Sequence, residues 1–450
     1  MTESRPQDGP AGGSTSSSWA RGWMTDSAQL FASQALTVLA TSLAAIMIAR
    51  TLEPSDWAIF SAFLGLSIAL AFVVDFGLGY WLIREFSSML GEDTSAGAAS
   101  RIGRLVCSGV LVNGLVAAPL VAAAAVWAAV SRPGPAVTVA LLCLLLYGAL
   151  TAMANALEAY LRARRRVRLV LSASLLEKGA LVVLLVAVIA ADAGLAAIGI
   201  AYLAAGVIRV AFDGLVVFWR QHVPFRVPSP RDAIDVGRAS LPIAFNAASL
   251  HLVPRLDTLV LLAVSTTSAA WFAIGERILG PLLLLPATLS HALYPFMATR
   301  AARRASPWKI AGALGALGAG LAVVGLLLAP VLIPLLFGDA YSEAVPVAQV
   351  MLLVVPIVYA TGPLLVIAYS HGRERSFLVP FLLISLGGTA AIVAGQVVGG
   401  ATLAAAGYVG RSAAILVVVA LVTHVAWRRH VVTSNVDAAA QSGPATIQPQ

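Results

Sequence analysis

Charged side chains set inside apolar sequence are where this chain could do chemistry. Arg255 and Asp257 share one apolar run, Glu276 and Arg277 are adjacent in the next, and Arg209, Arg411 and Asp75 interrupt three others. An ionisable group in hydrocarbon costs roughly 2.5–3.5 kcal/mol on insertion scales, so each needs a function or a partner. Arginine in such a place suits a phosphate, because its planar fork binds two oxygens at once and it does not shed its proton. A carboxylate there either exchanges a proton or small cation, or neutralises a neighbouring arginine. His251 stands four before Arg255, with Pro254 between them, and the two would share a helix face. Arg277, Thr288 and His291 fall near one line of an ideal helix, since 11 and 14 residues are close to whole turns. Spacing of four also pairs Arg209 with Asp213 and Glu158 with Arg162 as ion pairs, while Lys178 follows Glu177 deep in a further run.

These residues must be positioned by membrane helices. Of the 450 residues, 59% are hydrophobic and 11% charged, against roughly 25% charged in soluble domains. Apolar windows long enough to cross a core of roughly 30 Å recur along the chain. They predict helices near 27–51, 57–83, 103–130, 136–160, 168–191, 194–219, 238–264, 269–297, 308–337, 344–370, 376–397 and 402–427. The fold class expected is an all-α polytopic membrane protein of about twelve transmembrane helices in two six-helix lobes. Residues 25–220 form the N-terminal lobe and 238–430 the C-terminal lobe. The basic segment 221–237, with Pro224, Pro228 and Pro230, links them, and 1–24 and 431–450 read as disordered cytoplasmic tails.

Alternate loops differ sharply in arginine. Arg84, Arg101 and Arg104, then Arg162 to Arg168, Arg220 to Arg238, Arg300 to Lys309, Arg373 and Arg375, and finally Arg428 and Arg429 fall on one face, whereas the other offers Arg132 and little else. Short cytoplasmic loops collect basic residues, so both termini are expected in the cytoplasm and the helix count is even. The net charge of +8 is accounted for by these loops and does not point to nucleic acid. The first two dozen residues lack the basic-then-apolar order of a cleavable signal, so the first long helix is expected to act as an uncleaved anchor. Cys107 and Cys143 both lie in apolar runs and offer neither a disulfide framework nor a metal site. No H-E-x-x-H, P-loop or Gly-x-Ser-x-Gly element occurs, so no cofactor, catalytic residue or enzyme activity is expected. Prolines concentrate in the second half, from Pro242 to Pro380, which favours a C-terminal lobe able to bend.

Three stretches carry a family resemblance. Ala49-Arg50-Thr51-Leu52-Glu53-Pro54-Ser55-Asp56-Trp57-Ala58 resembles the turn between helices one and two of the Wzx-type polysaccharide flippases, a branch of the multidrug/oligosaccharidyl-lipid/polysaccharide (MOP) superfamily. Ala58 stands where that family usually has glycine. Asp75-Phe76-Gly77-Leu78-Gly79 followed by Leu82-Ile83-Arg84-Glu85 is similar to the end of the family's second helix. Leu336-Phe337-Gly338-Asp339-Ala340-Tyr341, with Ala344-Val345-Pro346, resembles its turn between helices nine and ten.

The resemblance implies a transporter in a cell (inner or plasma) membrane that moves a polyprenyl-pyrophosphate-linked sugar between leaflets by alternating access. It also implies that helices one, two, seven and eight line the central cavity. Arg255 and Arg277 are then the first candidates for the pyrophosphate, followed by Arg411 and His291. Asp75, Asp257 and Glu276 are the candidates for a coupling ion, H+ or Na+. Polymerases or glycosyltransferases acting on the same lipid-linked sugars would be its partners. A MATE-like drug and cation exporter calls instead for an acidic cavity, whereas the interior charges here lean basic. A lipid II flippase makes similar demands but commonly carries helices beyond twelve.

Overall fold

The computed structural model describes residues 35–75, 77–92, 96–229, 231–240, 256–297, 306–370 and 373–441. Among these residues every regular element is a helix, as hydrocarbon requires of backbone groups that must be satisfied within their own segment. In chain order the elements are α1 (Ala35–Thr51), α2 (Pro54–Asp75), α3 (Leu78–Glu92), α4 (Ala96–Ser131), α5 (Pro135–Ala163), α6 (Val167–Ala190) and α7 (Gly194–Gly214). A π-helical turn, Leu215–Arg220, continues α7. After α8 (231–240) come α9 (Asp257–Val264), α10 (Thr266–Met297), α11 (Pro307–Phe337), α12 (Val345–Leu352), α13 (Val354–Ser370) and α14 (Leu378–Gln441). Nine helical segments of the described residues are long and apolar enough to span a membrane. The chain is a multi-pass membrane protein of two lobes.

Some of the twelve predicted windows look different in three dimensions. The second divides into α2 and α3, and Gly77 between them has φ 69°, a left-handed backbone that glycine adopts without steric cost. The seventh contributes α8 and α9, its middle lying outside the described residues. The last two run together as α14, which breaks at Gly399 and Gly400, the latter at φ 74°. Two further segments depart from expectation. Residues 222–229 of the linker carry no regular structure but 231–240 are helical, and α14 runs to Gln441, into the segment read as a tail.

Helix α8 is started by a capping box. Ser229 Oγ accepts the Asp232 N–H at 3.2 Å, and Asp232 Oδ2 accepts the Ser229 N–H at 3.0 Å. These bonds to Ser229 hold the exposed Asp232 carboxyl below the usual carboxylate range. Against α3 and α4, α8 closes a cavity of about 330 Å³ whose polar lining includes Glu85, Arg101, Arg104, Asp232 and Asp235.

Two prolines inside helices of the C-terminal lobe, Pro330 and Pro286, are compensated by side chains of neighbouring helices. Pro330 interrupts α11 and lacks the N–H that would reach the Leu326 carbonyl one turn back. Gln349 Nε2 donates to that carbonyl at 3.0 Å. Pro286 likewise frees the Leu282 carbonyl of α10, and Tyr359 OH donates to it at 2.9 Å. Each kink is thereby fastened to a neighbouring helix, α12 or α13.

The apolar cores differ between the two ends of the molecule. One cluster joins the lobes, running from Ile48, Leu52, Trp57 and Phe60 to Leu261, Phe272, Ile333 and Tyr341. At the arginine-rich end, Leu82, Phe86, Tyr160 and Val217 form a core together with Val223, Ala233 and Val236 of the segment that follows the N-terminal lobe, while Leu364, Phe377, Phe381 and Val419 form a separate C-terminal one. The described residues of the two lobes thus share a core at one face and form no shared core at the other. Helix α2 makes much of this seam, lying against α9 and α10. Two polar ties close the packed face. Arg50 donates through Nε to the Leu336 carbonyl at 2.8 Å and through Nη2 to the Leu335 carbonyl, and Tyr341 OH donates to the Leu52 carbonyl at 3.3 Å.

Candidate functional site

The seam between α2 and α10 brings together a cation, an aromatic face and an unused donor. Arg277 lies eleven residues into α10, roughly 16 Å along its axis at about 1.5 Å per residue. Its guanidinium carbon is 5.9 Å from the ring centroid of Trp57, and it has no carboxylate partner among the described residues. Trp57, in the first turn of α2, is fully buried, yet its Nε1 has no acceptor. A buried donor left unsatisfied beside an unpaired cation is the arrangement an anion would complete. Next to Arg277, Glu276 turns to α9, where Thr258 Oγ1 donates to it at 3.0 Å.

Arg411 is placed otherwise. Its guanidinium meets the buried Asp257 carboxylate with both Nη atoms, at 2.9 and 2.6 Å, and Thr389 Oγ1 donates to the same carboxylate at 2.8 Å. The side chain passes over Gly388, where a Cβ would stand 2.4 Å from Arg411 Cδ, so only glycine fits. Asp257 and Arg411, expected as an ion-coupling group and a pyrophosphate ligand, thus form one bidentate pair that fastens α9 to both limbs of α14. Asp75 sits at the α2–α3 break with its carboxylate facing the Gly79 N–H, at a helix start that favours negative charge. Its Oδ1 is buried without a partner. Arg255 and His251 lie outside the described residues, as does the side chain of His291.

A second polar cluster lies inside the N-terminal lobe, where spacing alone anticipated pairs within single helices. Glu158 and Arg162 do pair, at 2.7 Å. Arg209 instead reaches across helices, to Glu158 at 2.8 Å and Glu177 at 3.0 Å, and stays 3.9 Å from Asp213. Lys178 and Tyr147 OH each donate to Glu177 Oε1 at 2.7 Å. No sequence signal singled out Tyr147, because a tyrosine in an apolar run looks like core. An aromatic row joins this cluster to the seam: Tyr147 lies 5.4 Å from Tyr202, Tyr202 5.6 Å from Phe60, and Phe60 5.8 Å from Trp57. The described residues contain no group of acidic, histidine or cysteine side chains able to hold a metal ion.

A family profile described as "Polysaccharide biosynthesis protein" matches residues 23–300. The chain belongs to this family, the Wzx-type flippases of the MOP superfamily. No curated protein matches it in sequence. Among solved structures it is similar to the lipid II flippase MurJ in an inward closed conformation, with a TM-score of 0.70, 11% identity and coverage of 87% of this chain and 86% of that one. It is also similar to a multidrug resistance MATE family transporter of the MOP superfamily in an inward-facing conformation, at 0.66, 15%, 87% and 95%. A MOP superfamily transporter from Pyrococcus furiosus, described by the reverse polarity of its binding pocket, matches at 0.59, 16%, 89% and 94%. These likenesses carry the two-lobed fold of this flippase family member; the residues that distinguish its interior are its own.

Proposed function

We propose that the protein flips a polyprenyl-pyrophosphate-linked oligosaccharide from the cytoplasmic to the outer leaflet of the cell membrane, by alternating access, for cell-surface polysaccharide synthesis. The observation that carries this reading is Arg277, unpaired among the described residues and set over the ring of Trp57, whose indole N–H is unsatisfied. Together they offer a pyrophosphate one charged fork and one neutral donor where it must leave water. Arg255 and His291 are further candidates for the headgroup on the family resemblance alone. The sugars remain in water and the polyprenyl tail in lipid, so neither needs a closed pocket.

With both termini in the cytoplasm, as the arginine asymmetry indicates, the face where the lobes keep separate cores is the cytoplasmic one, and substrate is taken up there. The linker 221–237 lies on that face and lets the lobes 25–220 and 238–430 rock. Asp75 and Glu276 are candidates for exchanging a coupling ion, and Asp257 joins them in any state in which Arg411 leaves it. Polymerases and glycosyltransferases that consume or supply the lipid-linked sugar are the partners this role requires.

Reconstituted protein tests the proposal with a fluorescent polyprenyl-pyrophosphate oligosaccharide and a membrane-impermeant quencher. Native protein is expected to flip the probe, and Arg277→Ala and Arg255→Ala to lose most of that activity at equal reconstitution. Full activity in Arg277→Ala would remove the seam from the mechanism. Folded native protein inert towards several such lipids, with an ion gradient supplied, would move the assignment to drug and cation export.

A further inference from the structure

The polar cluster of the N-terminal lobe directs its cations to two of its three carboxylates. Glu158 accepts from Arg162 and Arg209, and Glu177 accepts from Tyr147, Lys178 and Arg209. Asp213, one turn beyond Arg209 on α7, is fully buried, and among the described residues neither of its oxygens has a hydrogen-bond donor. The nearest cation is Arg209 Nε at 3.9 Å, and the hydrogen on that nitrogen is already directed at Glu158. The charged groups acting on Asp213 are Glu158 and Arg162 from α5, Glu177 from α6 and Arg209 from its own helix. An ionised carboxylate in such a place, beside two other carboxylates, lacks both water and donors and would be strongly disfavoured. It is relieved by a cation of its own. A metal ion would need several oxygen ligands, and no such group of side chains exists among the described residues, which leaves a proton.

We propose that Asp213 is a proton-exchange site of the N-terminal lobe and that it shares Arg209 with Glu158. Taking up the proton forms one O–H bond on Asp213 and leaves Arg209 to Glu158 and Glu177, the arrangement seen. Releasing it to water breaks that bond, and the new carboxylate draws the Arg209 fork across the remaining gap, away from its partners on α5 and α6. Water is near, since Arg162, which holds Glu158, has a half-exposed side chain. Two features give the exchange consequences beyond the cluster. Gly214 follows Asp213 directly and opens the π-helical turn Leu215–Arg220, a local over-widening common at functional sites, which leads into the inter-lobe linker. The row Tyr147, Tyr202, Phe60 and Trp57 packs from Glu177 to the Arg277 seam. Proton occupancy at Asp213 therefore bears on both the joint between the lobes and the proposed headgroup site.

The site itself is read on the protein alone, and only its consequence for transport rests on the flippase reading. Infrared difference spectra of the full chain in nanodiscs, taken across a pH series, should show a carboxylic-acid C=O band that titrates in native protein and is missing in Asp213→Asn. Asp213→Leu, of similar volume and apolar, is the second variant and is read the same way. Both are expected to melt no lower than native protein, because each removes a buried acid without donors. In proteoliposomes, the native flipping rate should respond to an imposed pH gradient, and the Asp213→Asn rate should be the same with and without it. An unchanged infrared band set, or a gradient response that survives both substitutions, would overturn the proposal. Native protein that does not flip at all would count against the flippase reading while leaving the infrared result to decide the site.

Discussion

Arg277 and Arg411 are both interior arginines of the C-terminal lobe, and their surroundings give them opposite roles. Arg411 is saturated by a bidentate carboxylate, so removing it strands a buried charge, at a cost of about 3–5 kcal/mol. Arg411→Ala should lower the melting temperature sharply, and adding Asp257→Ala should restore much of the loss; if the double variant is no better than the single, the pair is not what holds α9 to α14. Arg277 has no such partner, so Arg277→Ala should leave the melting temperature near native and act on the ligand. Losing charge-assisted hydrogen bonds worth about 1.5–3 kcal/mol weakens headgroup binding roughly tenfold to 150-fold, measurable by titration with a soluble polyprenyl-pyrophosphate analogue. Arg277→Lys, which keeps the charge but loses the fork, should fall between. Sequence made all these residues visible, because a charge in an apolar run is conspicuous. It did not show which charges pair, because a spacing of four describes one helix and Arg209, Arg411 and Asp257 find their partners on others.

Helices were the more legible scale. Hydropathy anticipated α5, α6, α7, α10 and α11 to within a few residues, because length and apolarity are what a bilayer demands. What it did not anticipate were breaks made by backbone geometry: Gly77 and Gly400 adopt positive φ within sequence that stays apolar. The prolines of the C-terminal lobe suggested bending, and the structure adds what stabilises the freed carbonyls, Gln349 for Leu326 and Tyr359 for Leu282. Tyr359→Phe should therefore destabilise the protein by about 1–3 kcal/mol, the cost of an unsatisfied buried carbonyl. Pro286→Ala supplies the missing N–H from within α10, so in that background Tyr359→Phe should cost much less. A double-mutant cycle on thermal or denaturant unfolding measures the difference. Equal costs in both backgrounds would mean that Tyr359 contributes packing alone.

At the scale of the whole molecule, two stretches that the sequence offered as separate family resemblances turn out to be halves of one contact. Arg50 and Leu52 of the α1–α2 turn meet Leu335, Leu336 and Tyr341 at the end of α11, almost three hundred residues away. Arg50 lies against carbonyls that the helix end leaves without intrahelical partners, where its charge also favours the helix dipole. No local pattern could have revealed the pairing, which exists only because the lobes close on this face and share a core there. The alternating access proposed above requires that the same face open, and these bonds would then break in each cycle. The Arg50 bonds are exposed and the Tyr341 bond is a buried one between neutral groups; a net contribution of about 1 kcal/mol from such a bond is enough to shift a two-state population roughly fivefold. Leu52 is buried in this state, which makes Leu52→Cys a reporter once Cys107 and Cys143 are replaced by serine. A membrane-impermeant maleimide added from that face should label Cys at 52 several-fold faster when Arg50→Ala is introduced, and faster again with Tyr341→Phe. Substrate in excess at the opposite face should move native protein in the same direction. Labelling that ignores both substitutions would mean that the apolar core alone holds this face shut, and the barrier to opening would then be set by desolvation of α2 against α9 and α10 rather than by the polar tie.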